Sequence, residues 1–371
     1  MPGLPFFEES APQPIRAPAI KISIGDGGES GGFGGIVDAA TSLLGGPAAP
    51  SWADYLISFS LQQGFAPQVD VVDLLVSDSA GAPEAALGDR GSISMGGAGA
   101  LEAMFSGVVI AIEQRGDGMR RYQLANGSHT LAQARINQSV TEMNIQDAIS
   151  FAANEFSFSP NANVSATDDI LPQIVFNDAA SIWDHITYLA KLRGINLWFN
   201  AEDKLQMADQ LEQGDSVATF TSGQDLLEVN LWQRSPHSGG VTAFGGDRID
   251  GGFTLRKQAA PNRAELGNGA PQRFYRDGLL QSPQDLSSRA EAASLFGQRQ
   301  TTAGEILVSG SATLSPGRVI ELTGLSGNGD GTYLIESSHH SLDHLDGWRT
   351  RLGISKADAS ASGLNLLGGL F

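Results

Sequence analysis

The sequence predicts a mainly β protein with an α+β insertion: two β-barrel blocks set around a small α+β module. Two observations carry that prediction. Short strands broken by Gly and Asp turns fill both ends of the 371 residues. Between them, over residues 139–215, the apolar period changes from two to that of a helix. At roughly 150 residues per domain, the length allows two or three domains.

The first 18 residues carry Pro2, Pro5, Pro12, Pro14 and Pro18 and read as an extended arm. Ile20–Ile24 alternates as a strand does, and Gly25-Asp26-Gly27-Gly28 closes it. Residues 27–50 are Gly/Ala-rich around a short apolar segment, Ile36–Leu44, and read as an insertion. Strands at Tyr55–Phe59, Val69–Val76, Ser92–Met95, Phe105–Glu113 and Met119–Leu124 complete a first barrel over residues 19–138.

In the module, Ile145, Ala148, Ile149 and Ala152 share a helical face behind Asn144 and Asp147, placed as an N-cap and its partner. A second helix, Ala179–Arg193, aligns Ile182, Ile186, Leu189 and Ala190, with Gly194 where a left-handed residue ends it. Two short strands follow, Asn196–Phe199 and Lys204–Met207.

Residues 216–356 read as a second barrel. Its strands are Ala218–Phe220, Glu228–Trp232, Gly240–Phe244, Gly304–Gly310, Val319–Leu322, Gly331–Glu336 and Trp348–Ile354. An insertion over residues 251–300 interrupts it: a polar, mobile excursion from Gly251 to Pro283, then a helix over Leu286–Gln300. The tail, residues 357–371, is small and polar until Leu364, Leu366, Leu367, Leu370 and Phe371.

Composition excludes several function classes. Forty-one acidic against 23 basic residues give a net charge of −18, which disfavours sequence-reading nucleic-acid binding. Without cysteine there is no disulfide scaffold, thiolate zinc site or cysteine nucleophile. No apolar run approaches the ~20 residues of a membrane span, and Met1-Pro2-Gly3 leads into acidic residues, unlike a signal peptide.

Candidate chemistry is thin. His339, His340 and His344, with Asp343 and Asp346, match no standard zinc spacing and read as a polar loop rather than a metal site. His185 reads as a surface or half-buried helix residue rather than a base. The pairs Asp168–Asp169 and Glu202–Asp203 sit in turn-like stretches and are weak evidence for glycosidase chemistry. Neither a nucleophile elbow, a phosphate loop nor a complete dinucleotide fingerprint is present, and Gly327–Gly331 reads as a hairpin loop rather than a calcium site. We therefore expect no catalytic, metal or cofactor residues.

One order of segments stands out: Leu87-Gly88-Asp89-Arg90, Phe105–Val109, the Ile182–Ala190 helix running into Arg193–Phe199, and the Asp203–Leu205 hairpin. Near the end stand Leu314–Ile320, Gly331–Ile335, Ser338-His339-His340 and Gly347–Leu352. This order resembles the late control protein D family of phage tails and the amino-terminal half of VgrG proteins, over roughly Ile20 to Ile354. The resemblance implies two β-barrels of shared fold per chain, assembling as a homotrimeric ring. Such a ring joins a sixfold tail tube to a threefold spike, beside baseplate wedge proteins, and lets DNA or effectors pass through its centre. It implies a location in a virion tail baseplate or injection particle, assembled in the bacterial cytoplasm. The Gly-rich stretch 27–50 is longer than the family's first hairpin connection, and no oligosaccharide-binding domain or β-helix follows Ile354, so the spike is expected to be a separate chain.

The expected function is thus a structural tail hub without enzymatic activity. The alternatives are a tail-associated cell-wall hydrolase, which needs a carboxylate or metal site in the module, or a carbohydrate-binding β-protein. The latter would use Trp52, Trp183, Trp198, Trp232 or Trp348 as sugar platforms, although most sit in core-like patterns. The apolar residues of the tail, Leu364 to Phe371, are the candidate contact with the spike or a neighbouring subunit.

Overall fold

Alternating burial along short strands organises the chain around one curled, twelve-stranded sheet. The computed structural model describes residues 18–25, 51–96, 100–165, 170–209, 216–234, 240–245, 263–266, 272–277, 279, 283–327 and 329–357. The predicted arm, the insertion 27–50, the pair Asp168–Asp169 and the apolar tail lie outside them.

The first block comprises β1 (Ala19–Ile24), a one-turn helix α1 (Trp52–Tyr55), β2 (Leu56–Gly64), β3 (Val71–Ser77), β4 (Arg90–Gly96), β5 (Glu102–Gln114) and β6 (Met119–Ala125). Its strands lie in the order β1-β4-β5-β6-β3-β2. Phe59, Leu61, Leu74, Ile93, Phe105 and Tyr122 bury the inner face, and Trp52 stands edge-on to Tyr122 at 5.1 Å.

The module follows: α2 (Gly127–Gln133), β7 (Gln138–Met143), α3 (Ile145–Asn154), β8 (Asn161–Asn163), β9 (Leu171–Phe176), α4 (Ile182–Arg193), β10 (Asn196–Phe199) and β11 (Leu205–Ala208). The sequence signals for its helices are the physical ones. The Asn144 side chain accepts from the Asp147 amide at 2.7 Å, and Gly194 ends α4 at φ 71°. Ser181 and Asp184 close a reciprocal capping box on α4, so that helix starts three residues later than its periodicity indicates. The sequence reading missed α2, β7, β8 and β9. Leu131, Val140, Leu171, Ile174 and Phe176 from these elements complete the core around Trp183 and Ile186.

The last block holds β12 (Thr219–Thr221), β13 (Leu226–Gln233), β14 (Gly240–Gly245), β15 (Arg263–Leu266), β16 (Gln272–Asp277), α5 (Pro283–Arg299), β17 (Thr302–Ser309), β18 (Val319–Thr323), β19 (Gly331–Asp343) and β20 (Gly347–Lys356). Two expectations change here. The polar stretch Gly251–Pro283 contains β15 and β16, which flank β14 in a separate three-stranded sheet under α5. Arg273-Phe274-Tyr275-Arg276 looks polar by composition, but its alternation turns Tyr275 toward Leu286 and Ala290. Consequently β14 is not a strand of the large sheet. The second change is that β19 runs on through Ser338-His339-His340, where a loop was expected, because β2 and β20 both pair with that stretch.

The strands that remain lie in the order β12-β18-β19-β20-β17-β13. Numbered within its own block, each arc has the same order: first, fourth, fifth, sixth, third, second. The repeat reaches individual bonds. Gly88 donates to the Val109 carbonyl and Val109 to that of Asp89, both at 2.9 Å; Gly317, Ile335 and Arg318 repeat the exchange at the same distances. Both glycines have positive φ, 89° and 85°. A bulge follows Val109 in one arc and Ile335 in the other, and another follows Leu56 and Leu226. The arcs join through an antiparallel ladder between β2 and the far half of β19, from Gly64–Ser337 to Ser58–Asp343.

Candidate functional site

The module is fastened to the sheet where the loop after β2 meets it, beside the candidate pair Glu202–Asp203. The loop after β2 reaches into the module: Ala66 and Val69 pack on its core. The Ala66 amide donates to the Leu197 carbonyl at 2.8 Å, and the Trp183 indole donates to that of Pro67 at 3.1 Å. Asp70 ends that loop fully buried. It accepts from the Gly64 amide at 3.0 Å and the Asn126 side chain at 2.8 Å, while its own amide donates to the Ser128 hydroxyl at 3.0 Å. Burial pushes its carboxyl up to about 7, against the lowering effect of those two donors, and the charge of Asp203 adds to the rise.

Asp203 comes from the turn between β10 and β11 at φ 58° and accepts from the Gly127 amide at 2.6 Å. Burial raises it to about 6, while the Gly127 bond and the charge of Arg90 work the other way. Two carboxyls, one from the sheet and one from the module, thus hold successive groups at the start of α2. Both oxygens of Asp70 and one of Asp203 accept from protein donors, so the knot ties the sheet to the module. Sequence reading found Asp203 but missed Asp70 and Asn126, because the bond that joins those two spans 56 positions.

Beside the knot lies a cleft of about 520 Å³ between β8, β11 and the loop before β18, with Gln63, Met104, Asn161, Trp198, Gln206 and Arg318 among its walls. Asn161 donates to Gln206 at 2.9 Å across the β8–β11 pair. Trp198 packs against the Phe65 ring at 5.5 Å and beneath Gly317.

The histidines separate. His340 is buried on the inner face of β19, where it accepts from the Thr350 hydroxyl at Nδ1 (2.9 Å) and donates from Nε2 to the Leu314 carbonyl (3.1 Å). Burial drops it to about 3, so it is neutral. His339 faces the other way, 2.9 Å from the Ser60 hydroxyl, and His344 stands in the following turn. Among the described residues, no three His, Asp or Glu side chains are grouped to hold a metal ion. His185 is half-buried and donates to the Asn177 carbonyl at 2.9 Å; Glu202 is exposed. Trp52 and Trp183 are core residues, and Trp198, Trp232 and Trp348 are half-buried. Among the described residues, no helix is long and apolar enough to cross a membrane.

The fold is similar to those of phage tail proteins. A tail protein from Neisseria meningitidis MC58 superimposes with a TM-score of 0.65 at 13% identity, over 92% of this chain and 97% of that one. The 43 kDa tail protein of prophage MuSo2 from Shewanella oneidensis gives 0.64 at 12%, over 82% and 95%. The c3393 protein of E. coli, a type VI secretion component similar to the T4 tail proteins gp27 and gp5, gives 0.53 at 12%, over 81% and 73%. No curated protein sequence matches the chain. A family model described as the Alg8 N-terminal domain matches residues 83–344. Since that span exceeds two thirds of the residues, the chain belongs to the Alg8 N-terminal domain family.

Proposed function

We propose that this chain is a structural hub of a phage tail or related injection apparatus, of the late control protein D and VgrG type, acting without catalysis. The observation that carries the reading is the repeated arc. One chain presents the same six-strand order twice, joined edge to edge, and solved tail proteins share the fold. We read the arcs as two related barrels. Three such chains offer six near-equivalent units to a sixfold tube while keeping threefold symmetry for a spike. An acidic chain suits a passage through which DNA or acidic cargo must slide without sticking. The family description names no activity.

Light scattering tests the reading. A trimer should weigh three times 38.9 kDa, about 117 kDa. A strict monomer at micromolar concentration, even with the spike present, overturns it. Within this reading, the apolar segment from Leu364 to Phe371 docks on the spike or a neighbouring subunit. Burying its five large side chains yields ~1.5–3 kcal/mol each before ordering costs. Deleting residues 363–371 should leave the trimer intact and reduce co-purification with the spike. Unchanged co-purification removes the docking assignment.

A further inference from the structure

The internal repeat leaves one joint used and its counterpart open. Within the chain, β2 of the first arc lies against the far half of β19 in the second. The place of β2 in the second arc is held by β13, and the place of β19 in the first arc by β5. Among the described residues, β13 pairs with β17 alone, and the stretch Ala111–Gln114 of β5 pairs with β6 alone. Exposure follows the joint. Phe59 of β2 is 2% exposed and its counterpart on β13, Val229, is 38%. Gln63 is 3% exposed, whereas Gln233 is open. On the receiving side Ser338 is 1% exposed, and its counterpart Ile112 is 37% despite being apolar. An edge strand with uncovered apolar residues is a template for another strand.

We propose that β13 of one copy of this chain adds, antiparallel, to the far half of β5 of a second copy, repeating the β2–β19 ladder between subunits. The intrachain register fixes the intersubunit one. Gln63 opposite Ser338 places Gln233 opposite Ile112, and Gln62 opposite His339 places Trp232 opposite Glu113. Arg234 then lies diagonal to Glu113, an opposite-charge cross-strand pair, and Ile112 is covered. The contact is head-to-tail, so repetition gives a ring if the rotation closes. Only the copy number, three, rests on the hub reading.

The test exploits the absence of cysteine. Antiparallel partners stand ~4.5–5.5 Å apart at Cα, inside disulfide range. Single-cysteine chains I112C and Q233C, each first shown to elute at the wild-type mass, are mixed under mild oxidation. A covalent dimer should form in about tenfold higher yield than from E113C with Q233C, which is one residue out of register and faces the other side. The double variant I112C/Q233C should give a covalent series ending at the closed ring. Equal yields from both pairs, or a wild-type oligomer with no I112C–Q233C product, overturn the ladder while leaving the hub reading in place. A chain that stays monomeric at every concentration overturns both.

Discussion

The two arcs of the sheet share their backbone devices and little of their side-chain content. Strand order, the positive-φ glycine before the fourth strand and the two bulges recur. Even a diagonal ion pair recurs: Arg121 with Asp73 at 2.9 Å, and Arg351 with Glu305 at 3.8 Å. The core residues do not. Leu74 faces Tyr122 in one arc where Ile306 faces Leu352 in the other. One strand direction also differs: β1 runs antiparallel to β4, but β12 runs parallel to β18. A curled sheet is specified by where it bulges and turns, while any apolar set of suitable volume fills it.

The largest contrast to break is between the buried strand β2 and its open counterpart β13. Phe59→Ala should cost about 3–5 kcal/mol in urea unfolding, as buried phenylalanines do. Val229→Ala, at the open edge, should cost below about 1 kcal/mol in the isolated chain. A loss at Val229 as large as that at Phe59 would show β13 to be covered already.

The two fully buried groups Asp70 and His340 pull stability in opposite directions with pH. Asp70 rises from 3.8 to about 7 in the folded chain. Between those values the native state holds a proton that the unfolded state has lost, so stability declines as pH climbs from about 4 to 7. His340 falls from 6.5 to about 3, so the unfolded state is the one holding the proton, and stability declines as pH drops from 6.5 toward 3. Either slope is at most about 1.4 kcal/mol per pH unit. Asp70→Asn should make the profile rise more steeply from pH 4 to 6.5, and His340→Gln should flatten or invert it. Parallel profiles for wild type and Asp70→Asn would mean that Asp70 is ionised in the fold.

Much of this architecture was legible in the sequence. Alternation located nearly every strand of both arcs, and Asn144, Asp147 and Gly194 marked their helix ends. What failed depends on distant partners. Ser338-His339-His340 reads as a polar loop, yet β2, some 280 positions earlier, holds it in a strand. Gln138–Met143 lacks a clean apolar face and becomes a strand only beside Leu171–Phe176. Asp70 looks like any surface carboxylate until Asn126 and Gly64 enclose it. The repeat was expected only through the family resemblance, because bulge positions and strand order leave no mark in residue identity.

The matched glycines sharpen the comparison at a smaller scale. Gly88 and Gly317 both occupy left-handed backbone, so alanine strains either one. A Cβ on Gly88 would meet nothing within 4 Å, whereas one on Gly317 would lie 3.0 Å from Cζ2 of the packed Trp198. Thermal melts should place Gly88→Ala about 1 kcal/mol below wild type and Gly317→Ala about 2 kcal/mol below it. A larger loss at Gly88 would mean that the two turns do different work.

The ion pairs give the smallest expected difference and the most direct check on whether the repeat extends to energetics. Arg121 binds the same Asp73 oxygen through both Nε and a terminal nitrogen at 2.9 Å, and Gln123 donates to that oxygen as well. Arg351 divides itself between Glu228 at 3.0 Å and Glu305 at 3.8 Å. Both guanidinium groups are about 40% exposed, so water and salt screen them. Arg121→Gln should cost about 0.5–1 kcal/mol at low salt and Arg351→Gln about 0.3 kcal/mol. Both losses should shrink by more than half at about 0.5 M NaCl, where the screening length falls to a few ångströms. A double-mutant cycle with Asp73→Asn isolates the first pair. A coupling that survives high salt would show Asp73 to be less hydrated than its exposure implies. Arg121 also reaches Glu113 at 3.8 Å. In the proposed ring, Glu113 on β5 and Glu228 on β13 both lie on strands that a neighbour covers, so both arginine losses should grow on assembly.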